Sequence, residues 1–187
     1  MIRILHVLGG LERGGAESMV MNLYRAIDRT QVQFDFIIHS EKHQAYYDEV
    51  VALGGKIYSF PAFNGKNIFI IRKKWKKFFE VHPEYKILHS HVRSYASIYL
   101  PIAHKAKVKT IIHSHNTSEG CGIASIAKRM LQYPLRFQAD FFFACSLKAG
   151  VWLFGNKIVQ SDKFYLLQNA VNTGKYAFSE KKKNHNP

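Results

Sequence analysis

Short runs of apolar, β-branched and aromatic residues alternate along the chain with longer stretches whose apolar residues recur every three or four positions. The short runs are typical of buried parallel strands, and the longer stretches of amphipathic helices. Strands are predicted over residues 2–8, 32–39, 56–60, 86–90, 108–113, 140–145 and 163–167. Helices are predicted from Met19, Val20, Leu23 and Ile27, which share one face, and over residues 44–53, 67–81, 95–105, 123–137 and 147–154.

This alternation predicts an α/β domain: a Rossmann-like, doubly wound, mostly parallel sheet flanked by helices. Residues 1–168 are expected to form the domain. Residues 169–187, which are polar and include the run Lys181-Lys182-Lys183, are expected to form a linker or tail. In such sheets ligands bind beyond the carboxyl ends of the strands.

The first predicted strand runs into a glycine-rich turn, Gly9-Gly10-Leu11-Glu12-Arg13-Gly14-Gly15, and then into a helix. Glycine permits unusual backbone conformations and close approach to a ligand, and a helix start offers N–H groups to an anion. The turn therefore predicts a phosphate or diphosphate site, with a tight turn that binds nothing as the alternative. Its spacing matches neither the dinucleotide fingerprint nor a P-loop, which disfavours nicotinamide chemistry and ATP hydrolysis.

The composition limits the classes of partner that the chain is expected to bind. The 187 residues are 47% hydrophobic, enough for one domain with a full core, and the formal charge of +14 favours an anionic partner. Nucleic acid, an anionic membrane and a phosphorylated substrate all satisfy that charge. Cys121 and Cys145 lack a CxxC spacing, and we see neither a secretory signal nor a long apolar run, so a reduced, cytoplasmic setting is expected.

Two histidine pairs close the fourth and fifth predicted strands, as His89-Ser90-His91 and His113-Ser114-His115. Residues two apart on a strand point to the same side, so each pair can present two imidazoles to the cleft. Three interpretations are open: a zinc site, buried polar residues satisfied by the backbone, and a polar cleft for an anionic or hydroxylated ligand. The lack of an adjoining Asp or Glu disfavours zinc.

Five motifs in order carry a family resemblance. They are Gly14-Gly15-Ala16-Glu17, the two histidine pairs with Asn116-Thr117 after the second, Ala144-Cys145-Ser146, and residues 166–172. Together they resemble the N-terminal half of bacterial retaining glycosyltransferases of family four, which have the GT-B fold and act in capsular and exopolysaccharide assembly. One segment departs from the family pattern, because Asn169-Ala170-Val171-Asn172 stands where the family has Asn-Gly-Val-Asp.

The resemblance implies an acceptor-side domain that faces a second domain holding a nucleotide sugar. In the family the glycine loop approaches the donor diphosphate, the histidine matching His115 lies near the transferred sugar or acceptor, and the serine matching Ser146 lines the cleft. His115 is thus the candidate catalytic residue. The candidate substrate-binding residues are Gly14, Gly15, Glu17, His91, His113, Asn116, Ser146 and Asn169.

The implied reaction is transfer of a sugar, with retention, to a saccharide or to a polyprenyl-diphosphate-linked acceptor, without a metal or other cofactor. Glu17 is expected to be a helix-start residue favoured by the dipole rather than a catalytic base. In the family the donor half carries an E-x7-E motif, and that half would begin where this sequence stops, so the chain is expected to be part of a longer protein and inactive alone. The alternative is a non-enzymatic basic module that binds phosphorylated ligands or nucleic acid; the transferase interpretation expects no nucleic acid.

The third predicted helix is both apolar and basic. At helical spacing one face carries Ile68, Ile71, Trp75, Phe78 and Phe79, and the rest carries Arg72, Lys73, Lys74, Lys76 and Lys77. A crossover helix would bury the apolar face on the sheet. The lysines could then still meet anionic headgroups, which predicts peripheral attachment to the inner face of a membrane.

Overall fold

The computed structural model describes residues 1–93, 95–117 and 123–170. Strands and helices alternate through these residues as predicted. Their order is β1 (Ile2–Val7), α1 (Gly15–Ala26), β2 (Val32–Ile38), α2 (Tyr47–Ala52), β3 (Ile57–Ser59), α3 (Ile68–Val81), β4 (Ile87–Ser90), α4 (Ala96–Lys105), β5 (Lys109–Ser114), α5 (Ile123–Gln132), α6 (Leu135–Gln138), β6 (Phe141–Ala144), α7 (Leu147–Phe154), α8 (Asn156–Val159) and β7 (Phe164–Leu166). The predicted tail beyond residue 170 lies outside the described residues.

The strands form one sheet in the order β3-β2-β1-β4-β5-β6-β7, and every neighbouring pair is parallel. This confirms the predicted Rossmann-like sheet. Successive strands are added outward from β1 to β3, and the chain then returns to place β4 on the other side of β1. A reversal of this kind opens a crevice at the carboxyl ends of the two central strands.

Two predicted elements differ in detail. The helix predicted over residues 123–137 is two helices, α5 and α6, because Pro134 has no N–H to donate and its ring obstructs the preceding turn. The short helix α8 was not predicted; it follows Gly155, whose φ of +83° starts a new direction of the chain. In the described part of the chain, no helix is long and apolar enough to span a bilayer.

Hydrophobic cores cover both faces of the sheet. The smaller one joins α1 and α2 to the face of β2 that carries Phe34 and Phe36. The larger one joins α3, α4, α6 and α7 to the opposite face. The apolar face predicted for α3 lies in this larger core, with Ile68 partly buried and the other four residues buried, which confirms the crossover helix.

The carboxylate of Asp35 ties together the amino ends of four strands. It is fully buried on β2 and accepts two hydrogen bonds of 2.5 Å from the guanidinium of Arg3 on β1. It also accepts the hydroxyl of Tyr85 and the backbone N–H of Lys56, each at 2.7 Å, just before β4 and β3. The hydrogen bond to Asp35 raises the pKa of Arg3 above its usual range, so the guanidinium stays charged at every pH at which the protein folds.

We expect the substitution Asp35→Ala to lower the free energy of unfolding by about 3–5 kcal/mol, because Arg3 would keep a charge with no partner. Urea unfolding measures the loss. The partly exposed pair of Arg25 and Glu49 is the matched control, and Glu49→Gln is expected to change stability by less than about 1 kcal/mol. Equal losses in the two variants would contradict the role assigned to Asp35.

Candidate functional site

The glycine-rich loop connects β1 to α1 at the carboxyl edge of the sheet. Its middle is fixed by two residues that the sequence analysis did not single out. The backbone N–H of Leu11 donates to Oε1 of Gln44 at 2.6 Å, and the backbone N–H of Tyr46 donates to the carbonyl of Leu11 at 2.9 Å. These contacts are distant in sequence, so only the fold brings them together. They hold the loop beside the first turn of α1.

The first turn of α1 is open on one side, at Gly15, and is covered at Gly14 by the side chain of Glu17. Gly14 is the N-cap residue, and as a glycine it has no side chain with which to cap the helix. A Cβ added at Gly15 would meet no heavy atom within 4 Å. Neither glycine has a positive φ, so the expectation that the loop needs glycine for its backbone conformation is wrong here. The glycine at position 15 therefore serves to leave this space open.

Glu17 bends back over this turn. It is the third residue of α1, the position from which a glutamate can reach back to the N-cap, and a Cβ at Gly14 would collide with its carboxylate. Burial raises the pKa of Glu17, while a hydrogen bond from its own backbone N–H opposes that shift. This geometry favours the helix-start role, as expected from the sequence.

Five imidazoles cluster on one face at the carboxyl end of the sheet: His6 on β1, His89 and His91 at the end of β4, and His113 and His115 at the end of β5. Three nitrogen pairs are within hydrogen-bonding distance. These are His6 Nδ1 with His91 Nε2 at 3.0 Å, His91 Nδ1 with His115 Nε2 at 2.8 Å, and His89 Nε2 with His113 Nδ1 at 3.3 Å.

The predicted sharing of a face by each histidine pair is therefore seen in the structure, with His6 added. Nothing in the sequence singled out His6, because its proximity depends on the register in which it pairs with His89. Among the described residues, three ring nitrogens are buried without a hydrogen-bond partner: His6 Nε2, His113 Nε2 and His115 Nδ1.

The cluster is uncharged at neutral pH. Burial lowers the pKa of His6 and of His113 to about 3 and that of His115 to about 4. Burial, with repulsion from the neighbouring imidazoles, holds the pKa values of His89 and His91 well below the usual range. Of the ligand classes predicted from the sequence, a hydroxyl group suits neutral imidazoles. The prediction that imidazolium rings offset phosphate charge is wrong at this pH, because the rings are uncharged.

Two overlapping sets of imidazoles have nitrogens close enough to hold a metal ion, His6 with His89 and His91, and His91 with His113 and His115. Neutral imidazole is a common zinc ligand. In this structure, however, nitrogens of both sets pair with each other through hydrogen bonds. A metal would have to replace those bonds.

The other predicted residues lie around this edge. Ser146 is exposed and caps α7, where its hydroxyl accepts the backbone N–H of Ala149 at 3.2 Å. Asn116 is exposed, and its carbonyl accepts a hydrogen bond from Arg93 at 3.1 Å. Asn169 is also exposed; the next carbonyl, that of residue 170, accepts a hydrogen bond from Asn22 of α1 at 3.0 Å.

Of the two cysteines, Cys121 lies outside the described residues, and Cys145 is a free thiol that donates to the carbonyl of His115.

This combination of sheet, loop and cleft defines one half of a GT-B fold. The profile described as Glycosyltransferase Family 4 matches residues 13–175, and the chain belongs to that family. It is 32% identical over 179 residues to EpsF of Bacillus subtilis (strain 168), a protein of the glycosyltransferase class by its name. The match covers 94% of this chain and 47% of EpsF, so the chain spans about half the length of that relative.

Solved structures share the fold at low sequence identity. A glycosyltransferase from Rickettsia africae has a TM-score of 0.72 at 16% identity, with 97% of this chain and 47% of that chain covered. HepE of Anabaena, solved with UDP and glucose, has a TM-score of 0.70 at 15% identity and 97% and 48% coverage. Staphylococcus aureus MnaA, solved with UDP, has a TM-score of 0.58 at 14% identity and 97% and 48% coverage.

We expect the buried cluster to make stability depend on pH. In the unfolded chain a histidine takes up a proton below about pH 6.5. In the folded chain these pKa values are lowered, so the unfolded state binds more protons and the free energy of unfolding falls as the pH falls through this range. Each imidazole contributes up to about 1.4 kcal/mol per pH unit. Urea unfolding between pH 7 and pH 5, above the range in which most carboxylates titrate, measures the slope. A stability that is flat over this interval would contradict the neutral cluster.

Proposed function

We propose that the protein containing this chain transfers a sugar from a nucleotide diphosphate-sugar to a saccharide or lipid-linked acceptor in surface polysaccharide synthesis, with the anomeric configuration retained. This chain would supply the acceptor-side half. One observation carries the proposal: the first turn of α1, which is open at the Cβ position of Gly15, lies on the same edge of the sheet as a cluster of neutral imidazoles. Membership of glycosyltransferase family 4 supports it. The ligands named for HepE and MnaA, which share the fold, are also consistent with it.

The two parts of the site suit two parts of such a substrate. A diphosphate is an anion, and the N–H groups of the first turn of α1 with the positive end of the helix dipole would stabilise its charge as it leaves. Glu17 would have to swing away, because its carboxylate now lies over that turn. Sugar hydroxyls are neutral donors and acceptors, which uncharged imidazoles such as His115 can pair with.

We propose further that transfer uses no divalent metal or other cofactor. The helix terminus would supply positive potential to the diphosphate in the place of a metal, and the imidazoles already pair with one another. On this proposal the nucleotide is bound mainly by a second domain. Residues 1–187 alone would therefore lack transferase activity.

The test uses the longer protein that contains this chain, assayed with UDP-glucose and a panel of other UDP-sugars. Gly15→Val is expected to lower turnover by about a hundredfold, because its side chain would fill the space in which the diphosphate approaches the backbone. The fold should be unaffected, since Gly15 is helical and its Cβ position is empty.

The control is Gly15→Ala, which should raise the free energy of unfolding by about 0.4–1 kcal/mol and still reduce turnover. Stability is measured by urea unfolding. Turnover of every UDP-sugar at the same rate in wild type and Gly15→Val would contradict the diphosphate site. Turnover by residues 1–187 alone would contradict the need for a second half.

We also propose that the protein attaches to the cytoplasmic face of a membrane through α3, where a polyprenyl-linked acceptor would reside. The basic residues of α3 are exposed, although its main apolar face is buried. Phe69 and Ile70, which the sequence analysis did not place on that face, are 83% and 63% exposed. Next to them, Lys73 and Lys77 line a groove of about 810 Å³ between α3 and β3. Exposed apolar residues among lysines suit an anionic bilayer.

We expect binding to anionic vesicles that weakens with added salt, and little binding to neutral vesicles. Changing Lys73, Lys74 and Lys77 to Glu should remove it, because each lysine near the surface contributes about 1 kcal/mol. The same change at Lys42, Lys157 and Lys163, exposed residues outside α3, is the charge-matched control. Cosedimentation that ignores lipid charge, or that falls equally in both triple variants, would contradict the proposal.

A further inference from the structure

A second groove, between α3 and α4, has a strongly basic rim. Its volume is about 640 Å³. Its basic side chains come from three parts of the chain: Arg72, Lys73 and Lys76 of α3, Lys86 before β4, and Lys105 at the end of α4. Glu80 also lines this basic groove, so five cations face one carboxylate.

The charges of the basic groove are not neutralised within the part of the chain that the structure describes. There, neither the five cations nor the carboxylate of Glu80 form an ion pair or a side-chain hydrogen bond. All six side chains are exposed. Like charges around one groove repel each other, so an anion that enters it is attracted from several sides at once.

Helix stability does not account for these cations. Lys105 lies in the last turn of α4, where the negative end of the helix dipole favours a positive charge. The last turn of α3, by contrast, has no basic residue. Arg72 and Lys76 are four positions apart on α3, a spacing at which like charges destabilise a helix. An anion held between α3 and α4 would offset that repulsion.

The floor of the basic groove is apolar. Phe79 is only 6% exposed, and Ile102 and Ala106 are partly buried. The volume of the groove is within the range of about 300–1,000 Å³ that is typical of small-molecule sites, which also combine apolar walls with a few polar groups. A fitting ligand has an anionic group for the rim and an apolar body for the floor.

We infer that the basic groove binds a phosphomonoester attached to an apolar body. A phosphomonoester has about −1.5 to −2 charges at pH 7 and three acceptor oxygens, so it can contact several ammonium groups together. A carboxylate has one charge and two oxygens, which match fewer cations. A lipid with a phosphomonoester headgroup and a soluble ester both have this chemistry.

The basic groove is a site separate from the candidate active site. Lys86 directly precedes β4 and Lys105 lies a few residues before β5, so the groove is near the amino ends of these strands. The histidine cluster lies at the carboxyl ends of the same strands. Binding in the basic groove therefore does not depend on the proposed sugar transfer.

The experiment is calorimetric titration of the longer protein that contains this chain with dihexanoyl phosphatidic acid, below the concentration at which this lipid forms micelles. We expect saturable binding that weakens with added salt. Changing Lys76, Lys86 and Lys105 together to Gln should weaken it about a hundredfold, at about fivefold for each lysine beside an anionic headgroup. Lys73, Lys74 and Lys77, which the membrane proposal uses, stay unchanged.

Glu80→Gln is the matched variant of opposite sign. Removal of this carboxylate should tighten binding about two- to fivefold, the effect of one exposed charge. The charge-matched control changes Lys42, Lys157 and Lys163 to Gln, which should leave the affinity unchanged. Urea unfolding should give the same stability for all of these variants, because the altered side chains are exposed.

Two further probes identify the ligand. Inorganic phosphate should bind about tenfold more weakly than the lipid, because it has no apolar body to cover the floor. Vesicles of phosphatidylcholine with phosphatidic acid distinguish the two sources. Cosedimentation that falls when Lys76, Lys86 and Lys105 are changed identifies a lipid headgroup, and cosedimentation that is unchanged identifies a soluble ester.

Three results would overturn the inference. They are the absence of saturable binding, an equal loss of affinity in the two triple variants, and binding of inorganic phosphate as tight as that of the lipid. Loss of sugar transfer is not among them, so this test and that of the proposed function can fail independently.

Discussion

The parallel register of β1, β4 and β5 is the constraint on which the site depends. His6 pairs with His89 across β1 and β4, and β5 continues the same register beside β4. Imidazoles from three separate strands therefore point to one face at one end of the sheet. The reversal of strand order between β1 and β4 also opens the crevice where α1 begins. One topological feature thus sets the imidazoles and the helix terminus along the same edge.

The two ends of the sheet differ in their buried polar side chains, which are charged at one end and uncharged at the other. Toward the amino ends, Asp35 and Arg3 form a buried ion pair that holds four strands together. At the carboxyl ends, the buried polar side chains of the cluster are uncharged, and the backbone of α1 supplies the positive potential. The net charge of +14 comes largely from surface residues such as those of α3. This net charge therefore concerns the partners of the outer surface rather than the ligand of the cleft.

The sequence sufficed for the sheet, because apolar runs separated by helical patterns leave few alternatives to a parallel α/β fold. It also predicted that His89 and His91 share a face, since that depends only on the period of a strand. His6 and Gln44 could not be found in the same way. Their contacts depend on which strands pair, in what register, and on how a distant loop folds back, and a strand sequence does not encode these locally. Phe69 and Ile70 were missed because helical periodicity describes the buried face and says nothing of residues outside it.

Stability alone does not explain the histidine cluster. Strands in the middle of a parallel sheet are usually continuous apolar runs, whereas β1, β4 and β5 each carry a histidine near the carboxyl end. Three of the ring nitrogens there have no partner among the described residues, and a buried polar atom without a hydrogen bond is destabilising by about 1–3 kcal/mol. Apolar side chains would fill the same positions without that loss. On the proposed function, five imidazoles held neutral at the carboxyl edge of the sheet are better explained by ligand binding than by stability, and uncharged rings there would suit the hydroxyls of a sugar better than its phosphates.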